Sequence, residues 1–141
     1  MKKGNILLYT SFILFTISLF LPVMPGDQWL TGGQPHDGIV FLMVGWLGVF
    51  FGNFSWFANV FGLIAFIVAM KKIYVAGLIS ATAAILLGLQ NFLITYINTN
   101  YHGFSHQAYD LKVGYYVWIL SFVVIFIFCL INFLKGKTIN T

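Results

Sequence analysis

The chain has 141 residues, of which 60% are hydrophobic and 7% are charged, and its mean hydropathy is +0.94. Soluble domains carry about 25% charged residues, so the composition predicts one all-α integral membrane domain, residues 1–141, and excludes a large catalytic domain outside the bilayer. The net charge is +4, yet the chain has no Arg and no Glu. Enzymes that bind phosphate or carboxylate groups favour Arg, and many acid/base sites use Glu.

The first predicted span covers about residues 5–21 and follows Lys2 and Lys3. A positive start and an apolar middle are also typical of a secretory signal, but no A-x-A-like cleavage site follows, so we expect the segment to be retained. Pro22 and Pro25 end this helix. The polar stretch 22–38 is then an outer loop with Pro-Gly and Gly-Gly turns.

The second apolar stretch, residues 39–70, is too long for one upright helix. At 1.5 Å per residue it would extend to about 48 Å, against a hydrocarbon core of about 30 Å. The segment GNFSWFAN, residues 52–59, interrupts the apolar run with Gly and Asn. We therefore predict a second span over 54–70, preceded by a short helix over 39–51 that lies in the outer leaflet or re-enters the membrane.

The third span is predicted over 73–97 and the fourth over 113–134, with 98–112 as the second outer loop. Small residues recur at intervals of four in the third span and in the short helix. Their one-sided placement favours close helix packing, or alternatively an interface with another subunit. These residues are Ala76, Ser80, Ala84 and Gly88 in the third span, and Gly48 and Gly52 in the short helix. The third span is therefore predicted to lie at the centre of a four-helix bundle.

Lysine placement predicts the orientation. With four spans and the amino terminus inside, six of the seven lysines are cytoplasmic and only Lys112 is outside, together with all three aspartates. Five spans would place four lysines outside, against the positive-inside rule. The sequence thus predicts a bacterial cytoplasmic membrane protein with both termini in the cytoplasm.

Few polar side chains fall inside the spans, and no Asp, Glu, Lys, Arg or His lies in the middle of any span. Proton-coupled transporters keep such a group in the membrane, so that mechanism is disfavoured. Gln90 and Asn91 either line a passage for a small solute or form hydrogen bonds between helices, and we favour the second interpretation. Cys129, the only cysteine, is predicted to be a buried hydrophobic residue.

The outer loops together contain every histidine and every acid of the chain. Imidazole and carboxylate groups are ligands for zinc or copper, and three of these residues recur at helical intervals of four. The candidate ligands are His36, Asp37, His102, His106 and Asp110. The alternative is that they are ordinary polar loop residues, because polar side chains in such a chain have few other places to lie.

Two segments resemble a known group of proteins. GWLGVFFGNFSWFAN, residues 45–59, and VGYYVWILSF, residues 113–122, are similar to uncharacterised small four-span bacterial membrane proteins. No activity is attached to that group. The resemblance therefore implies the four-span topology and nothing about function.

The leading interpretation is a non-enzymatic membrane subunit or helper that acts through its outer face or its packed helices, without a cofactor. Its expected partners are the lipid bilayer and either another membrane protein or further copies of itself, and not nucleic acid. One alternative is an extracytoplasmic zinc- or copper-binding membrane protein. The third is a small oligomeric pore.

Overall fold

The computed structural model describes residues 5–24, 36–101 and 111–138, and this part of the chain is mostly helical with five α-helices. In chain order the elements are α1 (Ile6–Leu19), β1 (Pro22–Met24), β2 (His36–Asp37), α2 (Gly38–Val44), the 3-10 helix η1 (Gly45–Phe51), α3 (Phe57–Met70), α4 (Tyr74–Tyr101) and α5 (Val113–Thr138). Two helices are long and apolar enough to cross a membrane, over Tyr74–Phe92 and Val113–Gly136. The helices α1 and α3 have only 14 residues each.

A short β-ribbon follows α1, where the sequence analysis predicted only a loop. β1 pairs with β2 in an antiparallel manner, with Pro22 opposite Asp37 and Met24 opposite His36. The Lys112 N–H donates to the Val23 carbonyl at 2.9 Å, which ties the start of α5 to the ribbon. The all-α expectation therefore needs one correction. Residues 22–24 and 36–37 form the backbone hydrogen bonds of a two-stranded ribbon and not of a helix.

The predicted interruption of the long apolar stretch is confirmed between η1 and α3. Gly52 has φ +75°, in the left-handed region that glycine enters without steric cost. Its N–H donates to the Val49 carbonyl at 3.1 Å, and the Asn53 N–H donates to the Gly48 carbonyl at 3.0 Å. α3 begins at Phe57, three residues later than predicted.

The helices pack in the spatial order α1, α5, α4, α3, with smaller contacts from α3 to α5 and α1. A tight turn joins α3 to α4, with Lys72 at φ +61°. The helix of the predicted third span, α4, packs between α3 and α5, and it shares this inner position with α5. α5 also packs against two helices, and its Ser121, Ile125 and Cys129 are fully buried.

The small residues of α4 lie at different depths. Ser80, Ala84 and Gly88 are buried, whereas Ala76 is half-buried. A Cβ atom on Gly88 would contact the Ile119 side chain of α5. In the short helix, a Cβ on Gly48 would meet only Asn53, and a Cβ on Gly52 would meet nothing within 4 Å. The Gly48 and Gly52 spacing therefore serves the local turn, not contact with another helix.

The described helices bury many small residues and expose many large apolar ones. The completely buried positions include small residues such as Ala58, Ala65 and Ala81. Large apolar side chains are exposed on every described helix, for example Ile79 at 67% and Leu63 at 60%. Soluble monomers rarely expose apolar surface on this scale.

Candidate ligand cavity beside the helix break

A cavity of about 240 Å³ lies where α1 ends and α3 and α5 begin, under the short helices α2 and η1. Its lining mixes aliphatic and aromatic side chains with hydroxyls and amides. The lining residues are Ser18, Leu19, Val23, Gly38, Phe41, Leu42, Val44, Gly45, Gly48, Asn53, Ser55, Trp56, Asn59, Asn91, Tyr115 and Trp118. The set contains no Lys, Arg, Asp, Glu, His or Cys. Among the described residues, the lining is therefore mainly apolar, with a few uncharged polar groups.

Gln90 of α4 supports the helix break beside the cavity. Its Nε2 donates to the Gly52 carbonyl at 2.9 Å, and its Oε1 accepts from the Phe54 N–H at 2.9 Å. The side-chain amide thus pairs with the turn as a peptide group of a neighbouring strand would. This pairing satisfies one carbonyl and one N–H that the interrupted helix leaves without an intrahelical partner.

Asn53, Ser55 and Asn91 form a second group of hydrogen bonds on the cavity wall. Asn53 Nδ2 donates to Asn91 Oδ1 at 2.8 Å. Asn53 Oδ1 accepts from the Ser55 N–H at 3.0 Å and lies 2.6 Å from the Ser55 hydroxyl. The group links the break to α4 and fixes the positions of two amides that line the cavity.

Asn59 and Trp118 connect α3 to α5 across the cavity wall. Trp118 Nε1 donates to Asn59 Oδ1 at 2.8 Å. An indole N–H is a donor only, so this contact sets the orientation of the Asn59 amide. Asn59 Nδ2 donates to no described residue.

Two further aromatic residues hold the walls of the cavity in place. Trp56 Nε1 donates to the Leu42 carbonyl at 2.9 Å and so ties α3 to α2. The Tyr115 hydroxyl donates to the Gly88 carbonyl at 3.0 Å. The Tyr115 and Trp118 rings are 5.9 Å apart. These contacts join α3 to α2 and α5 to α4, so packed helices hold the walls of the cavity.

The structure locates two of the five predicted metal ligands. His36 is half-buried and lies edge-on to Phe41, with ring centroids 6.5 Å apart. Asp37 is exposed and precedes α2 without a side-chain cap. Successive strand residues project to opposite faces, so the pair does not converge on one point. His102, His106 and Asp110 lie outside the described residues.

Within the described ranges, no group of three or more His, Cys, Asp or Glu side chains lies close enough to hold a metal ion. The five-residue zinc or copper site thus stays a prediction, since three of its members are not described.

Gln90 and Asn91 occupy different places although they are adjacent in sequence. Asn91 lines the cavity, whereas Gln90 does not and bonds to the break. The analysis of the sequence did not assign Asn59, Tyr115 or Trp118 to a site. The Asn and Ser residues clustered in the break were the sequence signal for a polar site. The aromatic residues of α5 gave no such signal, because they had the pattern of a membrane-interface belt.

No protein-family model matches this chain, and neither a curated protein nor a solved structure matches it.

Proposed function

We propose that the protein is a four-span integral membrane subunit or helper without enzymatic activity, which binds a ligand or partner at the end that carries the cavity. The observation that carries this proposal is a cavity whose described lining is mainly apolar with a few uncharged polar groups, in a molecule whose described helices expose large apolar side chains. The bilayer surrounds its helices, and another membrane protein or a second copy completes the assembly.

α1 and α3 are long enough to span the membrane once the residues next to each helix are included. Fourteen helical residues extend about 21 Å, short of the roughly 30 Å hydrocarbon core. β1 extends α1, and the turn before Phe57 extends α3. Non-helical backbone at membrane depth requires partners within the protein. Bonds from Lys112 to Val23 and from Gln90 to Gly52 and Phe54 supply such partners.

Charge supports an orientation in which the cavity is extracytoplasmic. Lys71 and Lys72 lie in the turn between α3 and α4, and Lys135 lies near the end of α5. These residues are at the end of the bundle opposite the cavity, whereas Lys112 is at the cavity end. Positive residues favour the cytoplasmic side, so both termini belong in the cytoplasm of a bacterial cell.

The chemistry of the cavity favours binding over catalysis. General acid/base and nucleophilic catalysis need an ionisable or activated group within reach of the substrate. The described lining offers only amides, hydroxyls and indoles, and the Ser18, Ser55 and Tyr115 hydroxyls already donate to protein oxygens. Such a lining orients a neutral group without transforming it.

Reporter fusions and native purification test the proposal. Phosphatase fusions at Thr141 and after Lys72 should be inactive, because the enzyme folds only outside the cytoplasm, and a fusion after Lys112 should be active. Mass spectrometry of the protein purified in a mild detergent should show a stoichiometric partner, a further copy or a bound small molecule. An active phosphatase at Thr141 contradicts the topology, and a bare monomer in every detergent contradicts the helper role.

A further inference from the structure

We infer that the cavity binds the carbonyl end of an uncharged, lipid-soluble molecule, with Asn59 Nδ2 as the donor to the carbonyl oxygen. The inference rests on the proposed function, since it names the class of ligand for the cavity that the proposal makes a binding site. The two ligand sources with this chemistry are the ester group of a glycerolipid and the ring carbonyl of a quinone.

The contact with Trp118 fixes which way the side-chain amide of Asn59 is turned. Its Oδ1 accepts from the donor-only indole N–H of Trp118 at 2.8 Å, so the amino group must be at the other position. No side-chain nitrogen or oxygen that is completely buried in the described structure lacks a hydrogen-bond partner. Since Asn59 Nδ2 donates to no described residue, it must be accessible, and the cavity is the open space that Asn59 lines. A ligand that binds in the cavity beside this amino group therefore needs a hydrogen-bond acceptor.

The other polar atoms of the lining are largely occupied. Asn53 Oδ1 accepts from Ser55, and Asn91 Oδ1 accepts from Asn53. The remaining wall consists mainly of apolar and aromatic surface, including Phe41, Trp56 and Trp118. The described lining offers a charged ligand no counter-charge, and the loss of hydration without one is costly. The ligand should therefore be neutral and apolar apart from its acceptor.

The size of the cavity limits what enters it. About 240 Å³ is below the 300–1,000 Å³ usual for sites that enclose a drug-sized ligand. It far exceeds the roughly 10–15 Å³ that one water needs. A head group therefore fits, while the remainder of a longer molecule extends outward past Val44, which lines the cavity and is half exposed. This geometry suits a molecule that arrives from the bilayer.

Binding of two probes to the purified, detergent-solubilised protein tests the inference. The probes are 2-methyl-1,4-naphthoquinone and 1,2-dihexanoylglycerol, measured by native mass spectrometry and, for the quinone, by quenching of tryptophan fluorescence. Trp56 and Trp118 line the cavity, so a bound quinone should quench them. We expect saturable binding of at least one probe, weakened about tenfold by Asn59→Ala, the usual effect of losing one neutral hydrogen bond.

Asn132→Ala is the matched control, because Asn132 lies on α5, does not line the cavity, and donates to the Phe128 carbonyl of its own helix. It should bind the probe as the wild type does. Leu42→Trp is a second test, in which Asn59 is unchanged. The larger side chain in the lining should reduce binding, while the main-chain carbonyl of residue 42 can still accept the hydrogen bond from Trp56.

The binding results distinguish the two ligand sources, and the reporter fusions test the proposed function separately from this inference. Binding of the quinone alone assigns a quinone head group, binding of the glyceride alone assigns a lipid ester, and equal binding supports the shared carbonyl chemistry. Saturable binding of neither probe overturns the inference, as does unchanged binding by both Asn59→Ala and Leu42→Trp. Reporter fusions depend on no ligand, so a failed inference leaves the topology of the proposed function independently measured.

Discussion

Gln90 shows how one residue can replace a missing backbone partner. Its amide matches the donor and acceptor pattern of a peptide group, and it bonds to Gly52 and Phe54 on either side of Asn53. A residue of similar size without an amide cannot make these two bonds, so the side chain has a structural role.

Replacing this amide should destabilise the protein. Gln90→Leu leaves the Gly52 carbonyl and the Phe54 N–H without their partner, and we expect a loss of about 1–3 kcal/mol in the free energy of unfolding. Thr82→Val is the control on the same helix, because the Thr82 hydroxyl donates only to the Leu78 carbonyl one turn earlier. Unfolding in detergent measures both variants, and equal stability would contradict the supporting role of Gln90.

The small residues of α4 make a second prediction at the scale of the residue. Ala84 is 0% exposed, so Ala84→Leu must displace neighbouring side chains, at a cost of about 1–3 kcal/mol. Leu86→Ala serves for comparison, since Leu86 is 65% exposed on the same helix. Thermal midpoints in detergent should fall clearly for Ala84→Leu and little for Leu86→Ala. A larger fall for Leu86→Ala would place that face, and not the Ala84 face, inside the bundle.

At the scale of the elements, the turn between η1 and α3 requires a particular backbone conformation at Gly52, and not extra room around that residue. Gly52 has φ +75° and open space around it, whereas Gly136 has open space within α5 and no positive φ. The two glycines therefore differ in backbone conformation while a new methyl group would meet no neighbour at either.

Alanine at these two glycines should have opposite effects. Gly52→Ala forces a left-handed residue and should destabilise by about 1–2 kcal/mol. Gly136→Ala replaces a helical glycine and should stabilise by up to about 1 kcal/mol. Thermal unfolding of both single variants and of the double variant gives the comparison. A stabilising Gly52→Ala would show that the turn is not left-handed in the membrane.

The elements also show what sequence reasoning can reach. The break was predictable because a 32-residue apolar stretch exceeds the bilayer, and chain length alone imposes that conflict. The β-ribbon was not predictable, since residues 22–24 and 36–37 lack strand alternation and find each other only through the folded bundle. Asn91 was identified as a buried amide, but its place in a cavity depends on Trp118 and Asn59, which are 59 residues apart. Periodicity carries no information about such distant neutral pairs.

At the scale of the whole molecule, many small residues lie inside and many large apolar residues lie outside, with Lys71, Lys72 and Lys135 at the end opposite the cavity. Cys129 illustrates the interior: it is 0% exposed, and a Cβ on Gly77 would lie 2.6 Å from its sulfur. A helix pair that close leaves no room for a reagent beside the thiol.

Cysteine labelling tests this arrangement. A membrane-impermeant maleimide should leave Cys129 unmodified in the native protein and modify it after denaturation in detergent. In a Cys129→Ala background, Lys112→Cys should react in intact cells, whereas Lys72→Cys should react only after the membrane is opened. The reverse pattern for the two lysine positions would invert the proposed orientation, and rapid labelling of native Cys129 would contradict the close contact of α4 with α5.

The bonds of Gln90 also set an order of events during biosynthesis. The turn at residues 52–54 is synthesised 36 to 38 residues before the amide that satisfies it. At about 5–20 residues per second, the ribosome needs roughly 2–8 s to supply that partner. Throughout this interval the short helices α2 and η1 precede a turn with unsatisfied polar groups, so the insertion machinery or the water at the membrane surface must accommodate them. The second apolar stretch should therefore reach its final depth only when α4 arrives, which makes α4 the element that completes insertion.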